Sequence, residues 1–154
     1  MALLFKSSAD RADWWRDELA KRVPGLDFRV WPDVGDTATI DFALVWKPKE
    51  GDLARYPNLK AIFSLGAGVD HIFADPKLPK VPVCRLVDKA LTEGMTEHVL
   101  THVLRFHRNL PDYERQQRVG EWKGVPAKLA AERCVGIMGL GELGAAAAVS
   151  IAAH

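Results

Sequence analysis

Two glycine patterns carry the clearest chemistry in this chain. Gly139, Gly141 and Gly144 fall in the spacing G-x-G-x-x-G, after the apolar run Cys134–Met138 and before the helix-forming run that ends in Ala145–Ala148. In a strand–turn–helix setting the first glycine permits the tight turn, the second lets the backbone approach a pyrophosphate, and the third lets helix and strand pack closely. The spacing therefore predicts the opening of a dinucleotide-binding unit, and the competing reading is a glycine turn used only for packing. The acidic residue that would bond a ribose 2′-OH is expected about 20 positions further on. The sequence stops at His154 before reaching it, so NAD and NADP are not distinguished.

Gly66-Ala67-Gly68-Val69-Asp70 is the second pattern. It follows the strand-like run Ala61–Leu65, and two residues without side-chain bulk at a strand's carboxyl end let successive backbone N–H groups turn toward a small anion such as a carboxylate. A plain strand-to-helix turn capped by Asp70 explains the same residues. His98 and His102 stand at i, i+4 on one helix and could approach a metal from one face, but no third ligand accompanies them, so no metal site is predicted and a helix–helix or dimer interface is the better reading. Arg105, His107, Arg108, Arg115 and Arg118 are interleaved with Asp112 and Glu114, as on a solvated helical face rather than a nucleic-acid surface.

The elements that must position these residues read as an α/β chain. Leu3–Phe5, Phe28–Trp31, Phe42–Trp46, Ala61–Leu65 and Val83–Leu86 are predicted strands, and the continuous apolar runs among them are expected of parallel strands covered on both faces. Arg11–Val23 is a predicted helix with Trp14, Trp15, Leu19 and Val23 on its apolar stripe, ended by Pro24-Gly25. One or two helical turns are expected at Asp52–Tyr56. A long helix resumes near Thr92 with Met95, Val99, Val103 and Phe106 on one stripe, and Pro111 divides it from a second helix capped by Asn109 or Leu110. Cys134–Met138 is the predicted strand of the nucleotide unit. The predicted division is residues 1–95 as one domain and 96–154 as connecting helices plus the start of another.

Composition narrows the classes. A chain of 154 residues with 48% hydrophobic content is enough for a core, and a net charge of +1 sets up no field toward nucleic acid or an anionic membrane. No apolar run approaches the roughly 20 residues of a spanning helix and no secretory segment opens the sequence, so no membrane partner and a cytoplasmic location are expected. Cys84 and Cys134 are far apart and form no C-x-x-C pair, which reads as two reduced thiols. The five tryptophans are expected in the core and cleft.

Taken with Met95-Thr96-Glu97-His98 and Arg118-Val119-Gly120-Glu121-Trp122, the two glycine patterns give the chain a family likeness. It resembles the amino-terminal half of a D-isomer-specific 2-hydroxyacid dehydrogenase, most closely the glyoxylate/hydroxypyruvate reductase A group. Trp14-Trp15, Ala43–Pro48 and Phe63–Asp70 are further points of likeness, and the match runs from Leu3 to about Ala148. The resemblance implies a flavodoxin-like substrate domain with a parallel sheet, followed by the first β-α unit of a truncated Rossmann domain. It implies a substrate carboxylate held by the backbone amides of Ala67 and Gly68, a pocket lined by Trp46, and Thr96 near the nicotinamide. It also implies a pyrophosphate met by Leu140, Gly141, Glu142 and Leu143 within the Gly139–Gly144 turn, where the helix dipole favours anions.

The activity so implied is an NAD- or NADP-dependent oxidoreductase that reduces glyoxylate or hydroxypyruvate to the hydroxy acid, homodimeric at full length. The family's arginine, acidic residue and histidine match no residue here and are expected beyond the chain end, so none of His98, Glu97 or Arg105 inherits a catalytic role and the 154-residue chain alone is expected to be inactive. A truncated frame, a frameshift or a deliberate fragment would each explain the stop after Ala148. The alternative is a non-catalytic module that binds carboxylates or dimerises through Thr92–Phe106. An anion-binding regulatory domain unrelated to redox chemistry fits the first domain but leaves the fingerprint unexplained.

Overall fold

A computed structural model describes residues 1–154, which divide into two compact units, Met1–Val87 and Asp88–His154. The first holds strands β1 (Ala2–Lys6), β2 (Asp27–Val30), β3 (Phe42–Val45), β4 (Ala61–Ser64) and β5 (Val83–Cys84), with helices α1 (Ala12–Arg22) and α2 (Asp70–Phe73). All pairings are parallel and the order is β2-β1-β3-β4-β5. This is the flavodoxin-like order, in which the chain first builds to one side of β1 and then crosses to the other. The resulting switch point between β1 and β3 opens a crevice at the strands' carboxyl ends. The register pairs Lys6 with Val45 and Val45 with Ser64, so Trp46 and the Leu65–Gly68 loop leave the sheet at one edge.

Alternation along β1 supplies both faces of the sheet. Ala2 and Leu4 join Ala43, Val45 and Ile62 in a core closed by Ile40, Leu53, Tyr56 and Ile72. Leu3 and Phe5 point the other way with Leu44, toward Trp15 and Leu19 of α1. That second face is only half covered: Phe63 is 38% exposed, and an apolar groove of about 450 Å³ runs past Phe42, Leu44, Phe63, Leu65 and Leu86.

Several expectations are corrected here. Trp14 is half exposed and stands edge-on to Trp15 rather than in the stripe, which is carried by Ala12, Trp15 and Leu19. Trp31 and Trp122 are also exposed, so the tryptophans are not uniformly core residues. The fifth strand is Val83–Cys84 only, because Leu86 has left the ladder and donates its N–H to the Gly66 carbonyl at 3.2 Å. Helical turns at Asp52–Tyr56 reduce to a single 3-10 turn, Leu53–Arg55.

In the second unit α3 (Lys89–His107) begins where the Asp88 carboxylate accepts the Leu91 N–H at 3.1 Å. It belongs whole to this unit, whereas the predicted division at residue 95 cuts it. Asn109, in the left-handed region at φ 56°, turns the chain into α4 (Leu110–Arg118), with Pro111 in the first turn. Arg105 grips Glu114 with two hydrogen bonds of 2.6 Å between the two helices. The half-buried residues of α3 are Thr92, Thr96, Val99, Leu100, Val103, Arg105 and His107; Met95 at 37% exposure and Phe106 at 65% are not among them. Residues 134–138 form no strand, since a strand exists only by pairing and this unit offers no neighbour. The chain then enters α5 (Glu142–Ala152), which packs against α3. No helix is long and apolar enough to cross a membrane.

Candidate functional site

In the first unit the candidate site is the carboxyl edge of the sheet. Trp46 leaves β3 with its N–H donated to the Lys6 carbonyl at 3.0 Å, and Leu65 leaves β4 with its N–H donated to the Val45 carbonyl at 3.0 Å. These two bonds extend the ladder by one residue and set the indole beside the glycine loop. A Cβ built on Gly66 would collide with the Trp46 ring, lying 2.7 Å from Cη2. Gly66 has no left-handed backbone, so it is glycine for want of space. Its N–H is turned inward to the Ser64 hydroxyl at 3.2 Å.

Beyond Gly66 the loop has a different character. The N–H groups of Ala67 and Gly68 donate to no acceptor of the chain, and a Cβ on Gly68 would meet nothing within 4 Å. Free donors with open space in front of them suit a carboxylate. The Trp46 ring also meets His71 of α2 edge-on, with centroids 4.8 Å apart, and Lys47 follows in the left-handed region at φ 46° with its ammonium 5.5 Å from the indole. Trp46, Ala67 and Gly68 are thus brought together at one edge. His71 and Ser64 were missed by the sequence reading; the only signal for His71 is that it follows the glycine loop directly after Asp70.

A half-buried ion pair closes the same edge. The Lys6 ammonium bonds to Asp52 and lies 4.2 Å from the centroid of the Trp31 ring. Burial alone would raise the Asp52 carboxyl, but the hydrogen bonds from Lys6 and from the Lys49 N–H outweigh it and hold the group below the usual carboxylate range.

In the second unit the Gly139–Gly144 turn divides its labour among its glycines. Gly139 sits in the left-handed region at φ 89°, which only glycine adopts freely. A Cβ on Gly141 would meet nothing within 4 Å, while one on Gly144 would run into the Gly139 carbonyl, 3.0 Å from its carbon. Gly141 starts α5 with no side-chain cap, leaving the first-turn amides of the helix, with those of Leu140 and Gly141, unclaimed by a capping group. Glu142 lies exposed in that first turn and Leu143 is half-buried. Turn, open approach and close packing are the three properties a pyrophosphate-binding turn needs, so the residues fit a dinucleotide.

Thr96 lies on the half-buried side of α3, its hydroxyl donated to the Thr92 carbonyl at 2.8 Å. His98 and His102 pack edge-on at 4.4 Å, and no group of three or more potential metal ligands occurs. Both cysteines are unpaired and exposed.

Comparison with known proteins points the same way. Residues 100–154 match the sequence model of the NAD binding domain of D-isomer specific 2-hydroxyacid dehydrogenases. A D-isomer specific 2-hydroxyacid dehydrogenase from Xanthobacter autotrophicus Py2, solved with NADPH and MES, is 47% identical with a TM-score of 0.91; the match covers 99% of this chain and 50% of that one. An NADPH-dependent glyoxylate/hydroxypyruvate reductase from Sinorhizobium meliloti, solved with NADP and sulfate, is 36% identical at a TM-score of 0.84, again over 99% and 50%. A probable 2-hydroxyacid dehydrogenase from Rhizobium etli CFN 42, in complex with NADP, HEPES and L(+)-tartaric acid, is 35% identical at 0.85, over 99% and 49%. The chain spans about half the length of these relatives.

Proposed function

We propose, from the premise that this chain belongs to the D-isomer-specific 2-hydroxyacid dehydrogenases, that it supplies the carboxylate-binding loop and the pyrophosphate-binding turn of a reductase of glyoxylate, hydroxypyruvate or a similar 2-oxo acid. The observation that carries this reading is the Gly139–Gly144 turn, whose three glycines each meet a separate requirement of a bound dinucleotide. NADPH or NADH is the cofactor, and relatives solved with NADPH or NADP favour the phosphorylated form.

When bound, the nicotinamide supplies the hydride. The residues of this chain bind and orient. Ala67 and Gly68 offer N–H groups to the carboxylate, Trp46 walls the pocket, and Leu140, Gly141, Glu142 and Leu143 present the α5 N-terminus to the pyrophosphate. Thr96 is assigned to the nicotinamide end. The arginine clamp and the proton-donating histidine with its acidic partner are roles that no residue of this chain takes.

Titration of ¹⁵N-labelled residues 1–154 tests the assignment. NADPH is expected to shift the amides of Leu140–Leu143, and oxamate, a non-reducible 2-oxo acid analogue, those of Ala67 and Gly68. Glyoxylate-dependent oxidation of NADPH by this polypeptide alone is expected to be absent. Shifts with oxamate but none with NADPH would favour the second reading, a carboxylate-binding module, for which the unclaimed Ala67 and Gly68 donors speak. No shift with either ligand would remove both.

A further inference from the structure

The Trp46 indole is held from two sides. On one it covers the bare backbone of Gly66, with no room for a Cβ; on the other it meets the edge of the His71 ring at 4.8 Å and an interplanar angle of 69°. His71 is carried by α2, whose Ile72 is fully buried in the core, so the backbone that carries the imidazole is held in place beside the indole. Its Nε2 is buried and has no hydrogen-bond partner. With no such bond to aim that end of the ring, its position is set by packing against Trp46.

The loop between the two contacts is Gly66–Val69, which contains the amides assigned to the carboxylate. Its start is tied down at Gly66 by Ser64, Leu86 and the indole; its end is tied down where Val69 accepts the N–H groups of Ile72 and Phe73 at 2.9 and 3.1 Å. Ala67 and Gly68 themselves have no such tether. The indole, bridging Gly66 and His71, is the strut that keeps the two anchored ends at a fixed separation.

We infer that His71 is a positioning residue for the anion loop, acting through Trp46: the two rings and Gly66 form one packed stack that holds the Ala67 and Gly68 amides ready for a 2-oxo acid carboxylate. This rests on the reading of that loop as the carboxylate site. It assigns His71 no contact with substrate.

The test is a double-mutant cycle on residues 1–154, with oxamate as ligand. His71→Ala removes the ring edge and is expected to weaken oxamate binding about tenfold, the scale of an aromatic pair. His71→Phe keeps the ring and is expected to bind within about threefold of the parent chain, with a higher Tm because an unpaired buried nitrogen is gone. In a Trp46→Leu background, His71→Ala is expected to add nothing further. Additive losses, or His71→Phe binding as weakly as His71→Ala, overturn the inference. If the parent chain shows no oxamate shift at Ala67 and Gly68, the carboxylate reading fails. The stack is then judged by ¹⁵N order parameters in the free protein. A fall from about 0.85 to below about 0.6 at Ala67 and Gly68 in both His71→Ala and Trp46→Leu upholds it, and unchanged values overturn it.

Discussion

Gly144 faces the Gly139 carbonyl so closely that the last position of the fingerprint turn constrains its first. Gly144→Ala must push α5 off the turn, at a cost of about 1–3 kcal/mol of local overpacking. Gly139→Ala acts differently, by forcing a side chain into the left-handed region at φ 89°, for about 1–2 kcal/mol. Gly141→Ala, with open space around it, is expected to leave stability within about 0.5 kcal/mol while obstructing the pyrophosphate. Urea unfolding of the three variants beside an NADPH titration checks the order. Equal destabilisation by all three would contradict this division of roles.

Gly66→Ala is expected to destabilise the first unit by about 1–3 kcal/mol, because its Cβ enters the Trp46 ring. Adding Trp46→Leu should recover part of that loss in chemical denaturation, although the second substitution alone is destabilising. A double variant no better than Gly66→Ala would show that the ring is not the obstacle.

Acid should loosen the first unit through two carboxylates. Lys60 at 2.6 Å and the Ala2 N–H at 2.9 Å hold the Asp41 carboxyl below its ordinary value, and Lys6 with the Lys49 N–H does the same for Asp52 against the opposing effect of burial. A depressed folded-state pKa means that the folded form binds fewer protons than the unfolded one. The stabilisation is therefore full above the unfolded value near 4 and is lost as pH falls through the folded values. Asp41→Asn combined with Asp52→Asn should flatten the dependence of Tm on pH below about 5. An unchanged slope would assign acid sensitivity elsewhere.

Amide exchange should be fast at residues 134–138, which form no ladder bonds, and slow in β1 and β3 at the centre of the sheet. Protection at Val135 or Ile137 equal to that of Leu4 in a dilute monomer would contradict this, whereas protection gained only as the concentration rises would mean that the segment finds a partner in a second copy. Its apolar side chains, with Val135 at 43% and Met138 at 103% exposure, make association the cause to examine.

What the sequence revealed follows from the range of each signal. Leu3–Phe5, Phe42–Val45 and Ala61–Ser64 were legible because parallel strands buried on both faces leave continuous apolar runs. The three fingerprint glycines were legible because their constraints are local to six residues. Helix phase was not: Trp14 and Phe106 face outward because the sheet decides which side of α1 is covered and α5 decides it for α3. The contact of Trp46 with Gly66 and His71 was illegible, since residues 20 and 25 positions apart meet only after β3 and β4 are in register. Cys134–Met138 misled because an apolar run states what a segment would bury, while a strand also needs a neighbour.

The groove past Phe42, Leu44 and Phe63 leaves a mark on the calorimetry of this chain. Apolar surface already wet in the folded state is not newly hydrated on unfolding, so the heat-capacity increment should fall below the roughly 12–15 cal/mol/K per residue of fully covered domains. The urea m-value should shrink with it. The stability curve of this polypeptide is then broader and shallower than its length alone would suggest, and any partner that seats on the groove would steepen it.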